Sequence, residues 1–186
     1  MARAANTLRI IGGELRGRKI RFPEANGLRP TPDRVRETLF NWLQVQIHGA
    51  RCLDLFAGSG ALGLEALSRG AAEVVFVERD GRVLQRLREN LTLLGQDKGH
   101  CVQAGAEQFL RRPAEPFDIV FLDPPFRDDV LAGLCASLAA DGWLNEGFRL
   151  YMERPQRQSM PELPAGWQVL RETRAGESLA CLIGGG

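Results

Sequence analysis

The chain has few of the residues that build metal centres or disulfide frameworks. Its 186 residues include two histidines, His48 and His100, and four scattered cysteines, Cys52, Cys101, Cys135 and Cys181, with no CxxC pair. Zinc sites draw on closely spaced Cys and His ligands, so no metal is expected, and the thiols read as small buried hydrophobes. No apolar run approaches the roughly 18 residues of a membrane span. Residues 1–6 also lack the pattern of a secretion signal. These absences point to a cytoplasmic protein without a membrane partner. A strong excess of either charge is missing too, since the formal net charge is +1.

That balance hides an asymmetry. Residues 1–40 carry nine basic side chains against four acidic ones, and the remaining residues are net acidic. A basic arm on a mildly acidic body is suited to a polyanion, and Arg9, Arg16, Arg18, Lys19 and Arg21 are the candidate RNA contacts. Hydrophobic content of 44% and charged content of 25% are those of an ordinary globular chain. The length fits one domain with a small appendage.

From Arg51 onward apolar runs alternate with helical periodicity. Strands are predicted at Arg51–Leu55, Glu73–Glu78, His100–Gln103, Phe117–Leu122, Leu150–Met152, Trp167–Leu170 and Ser178–Ile183. Helices are predicted at Ala61–Arg69, Asp80–Leu94, Glu107–Arg111 and Val130–Leu138. Alternation of this kind means an α/β fold, doubly wound around a mostly parallel seven-stranded sheet. The last two strands are placed to close it as an antiparallel hairpin through Arg174-Ala175-Gly176. Residues 1–47 read differently: a small β-hairpin, then a helix opened by Thr31 as N-cap, Pro32 at the first helical position and Asp33 at the positive helix end. The expected organisation is therefore an N-terminal extension, 1–47, and a main domain, 48–186.

Two stretches carry the chemistry. Gly58-Ser59-Gly60-Ala61-Leu62-Gly63 follows a strand and opens a helix, with Glu78 about twenty residues on. Taken literally this is a dinucleotide fingerprint. Asp54, at the strand end just before the loop, argues otherwise, because a pyrophosphate there would meet like charge. The ammonium and sulfonium of S-adenosylmethionine (SAM) would instead be attracted, and Glu78 would suit ribose hydroxyls. The glycines permit close backbone approach to such a ligand. About seventy residues later, Asp123-Pro124-Pro125-Phe126 ends another strand. An exocyclic base amine is a weak nucleophile because its lone pair is delocalised. Acceptors on its hydrogens, here Asp123 and the Pro124 carbonyl, favour pyramidalisation, and two prolines hold that carbonyl pre-aimed. Phe126 is placed to stack on an unpaired or flipped base.

The glycine loop and Asp-Pro-Pro-Phe resemble those of class I SAM-dependent methyltransferases acting on amino groups. Three N-terminal stretches narrow the resemblance: Arg9-Ile10-Ile11-Gly12-Gly13, Arg16-Gly17-Arg18, and Arg29-Pro30-Thr31-Pro32-Asp33 continuing through Asn41. With residues 54–67 they are similar to the bacterial 16S rRNA (guanine-N2)-methyltransferase D family. The resemblance implies a Rossmann-like methyltransferase sheet. It also implies methylation of guanine N2 in 16S rRNA, within a 30S subunit and beside its ribosomal proteins, with release of S-adenosylhomocysteine; a monomer is expected. It assigns Asp54, Phe56, Ala57, Gly58, Gly60, Glu78 and Ala106 to the cofactor, and Asp123, Pro124 and Phe126 to the amine. Arg29, Thr31 and Arg34 fall to a loop beside the active site. Gly105 departs from the family, which usually carries Asp or Asn near that point to meet the adenine amine. The glycine-rich C-terminus departs too and suggests a frayed end.

Three other readings stay open at this stage. An adenine-N6 methyltransferase also uses Asp-Pro-Pro-aromatic. A non-catalytic SAM- and RNA-binding assembly factor needs only part of the site. An NAD-dependent oxidoreductase would use the glycine loop alone.

Overall fold

The computed structural model describes residues 6–23, 31–125 and 129–185. Arg29 and Phe126, both assigned roles above, lie outside them. Strands β1 (Asn6–Arg9) and β2 (Lys19–Phe22) pair antiparallel with Leu8 opposite Ile20. Their alternation has a physical consequence. Leu8, Ile10, Ile20 and Phe22 are buried, whereas Arg9, Arg16, Arg18, Lys19 and Arg21 are exposed.

Helix α1 (Asp33–Trp42) follows. Its N-cap is Pro32, with φ −56° and ψ 148°, not the predicted Thr31, and no side chain caps the helix. The Thr31 hydroxyl instead donates to Asp123 Oδ2 at 3.2 Å. As a cap the hydroxyl oxygen would accept from a helix N–H; here the side chain is instead turned to give its proton to a carboxylate, a stronger acceptor than a neutral partner. Local capping chemistry is overridden by a tertiary demand.

The main sheet contains β3 (Arg51–Asp54), β4 (Glu73–Glu78), β5 (Gly99–Gln103), β6 (Phe117–Leu122), β7 (Leu144–Pro155), β8 (Trp167–Ala175) and β9 (Ser178–Gly185), in the spatial order β5-β4-β3-β6-β7-β9-β8. The first five of these in that order run parallel; β9 enters antiparallel between β7 and β8. The fold is therefore the doubly wound, seven-stranded sheet with a C-terminal hairpin that the alternation predicted. From β3 the chain builds outward to β4 and β5, then returns to place β6 on the other side. The switch point lies between β3 and β6, where such sheets bind ligands at their carboxyl ends.

Helices α2 (Ala61–Ser68) and α3 (Gly81–Leu94) join α1 on one face, and α4 (Ala106–Phe109) and α5 (Leu131–Ala140) cover the other. The N-terminal hairpin shares the first of these cores, which runs from Ile10 and Phe40 through Phe76 and Phe121 to Tyr151. Asp80 caps α3 by accepting from the backbone N–H groups of Arg82 and Val83. Two sequence expectations are corrected at the C-terminus. Strand β7 is 12 residues long instead of the short Leu150–Met152 run. The glycine-rich end is paired as far as Gly185, since Gly184 and Gly185 of β9 pair with Gln168 and Trp167 of β8. A side chain at Gly184 would stand 2.8 Å from Leu170 Cδ1, so small residues suit that close contact.

Candidate functional site

The carboxyl ends of four adjacent parallel strands each present an acid to the α1 face: Glu78 on β4, Asp54 on β3, Asp123 just beyond β6, and Glu153 on β7. Their order follows from register. Asp54 pairs with both Phe76 and Phe121, and Phe121 pairs with Tyr151. Glu78, Asp123 and Glu153 each lie two residues further on from those partners, so period two keeps all four on one face.

The glycine loop connects β3 to α2. Gly58 and Gly60 have φ of 51° and 82°, the left-handed region that glycine enters freely. A Cβ on Gly60 would meet Leu87 Cδ1 at 2.4 Å, and one on Gly63 would meet Phe76 Cε1 at 2.1 Å. The third glycine therefore lets the helix lie tight on the sheet. Ala57 is buried and anchored by its N–H to the Val77 carbonyl at 3.0 Å; Phe56 is half-buried. Glu78 ties the loop to its neighbour strand, accepting from Gly58 N–H at 3.0 Å and from Asp80 N–H at 2.8 Å. Each of its oxygens retains a lone pair for a hydroxyl.

Asp54 is the most demanding group in the site. It is 2% exposed, and its Oδ1 has no hydrogen-bond partner among the described residues. Burial pushes its carboxyl from 3.8 up to about 7, with the Glu78 charge adding to the rise and the backbone N–H groups of Gly63 and Phe56 opposing it. A buried, unpartnered carboxylate oxygen beside a glycine loop is chemically matched to a cationic hydrogen-bond donor.

Asp123 is half-buried. Desolvation first, then the charges of Glu153 and Asp54, hold its carboxyl well above the usual range, and the Thr31 hydrogen bond pulls against them. Pro124 is buried directly behind it. Arg34 does not turn toward these acids; its guanidinium donates to the Arg174 carbonyl at 3.0 Å. Gly105 precedes α4 in an extended conformation with open space around its Cβ position, and Ala106 beside it is half-buried.

Two features were not read from the sequence. The first is the Tyr151–Glu153 pair: the buried tyrosine donates its hydroxyl to Glu153 Oε2 at 2.9 Å. The second is a buried ion-pair network under the N-terminal loop. Glu65, fully buried, accepts from the N–H groups of Ile11 and Gly12 and from Arg69. Arg36, also fully buried, reaches Glu65 at 3.5 Å and donates Nε–H to the Thr31 carbonyl at 3.2 Å. Arg36 thereby sets the backbone of the residue that bonds Asp123. Arg36 also pairs with Asp33 at i, i+3, a spacing visible in the sequence, but nothing local marks Glu65 as the partner of Arg36.

Known proteins with this architecture are close. The family profile described as "Conserved hypothetical protein 95" matches residues 8–184. The "Ribosomal RNA small subunit methyltransferase D" of Escherichia coli (strain K12) is 49% identical over 91% of this chain and 86% of its own length. The protein of the same name from Haemophilus influenzae is 41% identical over 93% of this chain and 91% of its own. A solved structure of the Escherichia coli yhhF protein superposes with a TM-score of 0.91 at 44% identity, covering 97% of this chain and 98% of that one. Sequence and fold agree over nearly the whole length, and the chain belongs to the ribosomal RNA small subunit methyltransferase D family.

Proposed function

We propose that the protein methylates the exocyclic N2 of a guanine in 16S rRNA, using SAM, as a monomer acting on an assembled or partly assembled 30S subunit. The observation that carries this reading is the unpartnered, buried Oδ1 of Asp54 beside the glycine loop, one strand away from Asp123-Pro124. The relatives' printed names support the rRNA substrate.

SAM fits the donor set. Asp54 would hold its α-ammonium and Glu78 its ribose hydroxyls, and Ala106, next to the open space at Gly105, would lie by its adenine. The glycine loop approaches it through Gly58 and Gly60, with Phe56 and Ala57 beside it. When bound, SAM supplies an electrophilic methyl group on sulfur. The protein's own contribution is placement and electrostatics. Asp123 and the Pro124 carbonyl accept the two N2 hydrogens and aim the nitrogen lone pair, and Phe126 stacks on the base. No strong base is needed, because the amine becomes acidic only as the N–C bond forms. Thr31 holds Asp123 in place, and the resemblance assigns Arg29 and Arg34 to the loop beside the active site, although Arg34 bonds the Arg174 carbonyl. Arg9, Arg16, Arg18, Lys19 and Arg21 form an exposed basic face for the RNA backbone.

The test is methyl transfer from labelled SAM to 30S particles, to bare 16S rRNA and to 23S rRNA. Label confined to 16S rRNA, and greater on particles than on bare RNA, supports the reading. Label on 23S rRNA, or none on any substrate despite SAM binding, contradicts it.

A further inference from the structure

Of the four acids in the row, Glu153 has no role in the scheme above, although it stands beside Asp123. Strands β6 and β7 run parallel with Leu122 opposite Met152, so the residues that follow this pair are Asp123, just beyond β6, and Glu153, still on β7. Both point to the α1 face, and Glu153 is 6% exposed. Each acid is half-satisfied by one hydroxyl. Thr31 takes Asp123 Oδ2, and Tyr151 takes Glu153 Oε2. Among the described residues, Asp123 Oδ1 and Glu153 Oε1 accept no side-chain hydrogen bond. The Pro124 carbonyl accepts none from the backbone of the described residues either.

Asp123, with the Pro124 carbonyl next to it in the chain, and Glu153 therefore follow one another across two neighbouring strands, and each carboxylate is held by its own hydroxyl. A guanine edge presents three hydrogens in a row, two on N2 and one on N1. An adenine amine presents two, flanked by ring nitrogens whose lone pairs a carboxylate repels. Resting on the guanine reading above, we infer that Glu153, oriented by Tyr151, accepts the N1–H of the target base and so selects guanine over amines next to an unprotonated ring nitrogen. Asp123 and Pro124 handle the reacting amine, and Glu153 reads its neighbour. Burial favours this division, because an N–H acceptor left unpaired in an enclosed site strongly penalises the wrong base.

2-Aminopurine separates the roles, since it keeps the N2 amine but has a bare N1. The experiment ligates 2-aminopurine, or guanine as control, into 16S rRNA at the methylated position. The RNA is reconstituted into 30S particles, and kcat/KM is measured for wild type, Glu153→Gln and Tyr151→Phe. Wild type is expected to prefer guanine by at least about 100-fold. Glu153→Gln is nearly isosteric, and its amide can donate to the bare N1, so the preference should shrink at least about tenfold. Tyr151→Phe, which only frees Glu153, should shrink it less, with SAM affinity unchanged in both variants. If both variants lower the two substrates by one common factor, Glu153 is a structural residue and the inference is overturned. If wild type places no methyl on guanine N2 in the control particles, the functional reading itself fails and takes this inference with it.

Discussion

Lowering the pH from 7.5 to 5.5 should weaken SAM binding by about 20-fold, and Asp54→Asn should remove that dependence. The carboxyl of Asp54 is raised from 3.8 to about 7 because it is buried beside Glu78 with one oxygen unpartnered. About three pH units of displacement correspond to about 4 kcal/mol disfavouring its charged form in the free protein. A bound ammonium relieves that penalty, so SAM selects the ionised form. With a free value near 7, only about 3% of Asp54 is ionised at pH 5.5 and about three-quarters at pH 7.5, and affinity follows that ratio. The window stops at 7.5 because an α-amino group begins to lose its proton near about 7.7–8.0. The stability sign is opposite. A carboxyl raised on folding stabilises the free protein at low pH, fully so below 3.8, and that contribution is lost as pH rises through about 7. The thermal shift produced by saturating SAM should therefore grow from pH 5.5 to 7.5. Calorimetric titration across this range, with proton release measured in buffers of different ionisation enthalpy, reads the linkage directly. An affinity flat with pH in wild type, or a slope that survives in Asp54→Asn, would refute the pairing of Asp54 with the ammonium.

Other perturbations separate the remaining roles. Asp123→Ala should slow methyl transfer by about 10²–10³-fold while SAM affinity stays within a few-fold; equal loss of both, by calorimetry and single-turnover transfer, would move Asp123 to the cofactor. Arg36→Ala leaves Glu65 short of a buried partner and should cost about 3–5 kcal/mol, seen as a melting temperature lower by about 10 °C. An unchanged melting temperature would mean that Arg69 alone satisfies Glu65. Neutralising Arg16, Arg18 and Lys19 together should flatten the plot of log affinity for RNA against log salt by about two to three units; an unaltered slope would make the basic face ordinary surface. Gly105→Asn places a helix-capping side chain in open space before α4, and SAM should bind several-fold tighter as the amide meets adenine. Weaker binding would place adenine elsewhere.

What the sequence revealed was local. Gly58 to Gly63, Asp54, Glu78 and Asp123-Pro124 could be singled out as candidates because strand, turn and helix signals sit next to the residues they position. Glu153 could not, because its significance depends on β7 lying beside β6, and the strand itself is polar and glycine-interrupted over Leu144–Gly147. The Arg36–Glu65 pair spans 29 residues and two helices, and no periodicity links them. Thr31 shows the reverse error. A sound local rule made it a cap, and a half-buried carboxylate 92 residues away accepts its hydroxyl proton. Competition between local and tertiary demand is resolved only by the packed sheet.

The measurement that bears most directly on the central claim is the identity of the methylated nucleoside. The protein is incubated with methyl-labelled SAM and 30S particles lacking their methylguanines, and the RNA is then digested and its nucleosides separated. Label in N2-methylguanosine, at one position of 16S rRNA, is the predicted result. Label in N6-methyladenosine would contradict it, keeping the amine chemistry of Asp123 and Pro124 but overturning the base that the carboxylate row is said to read.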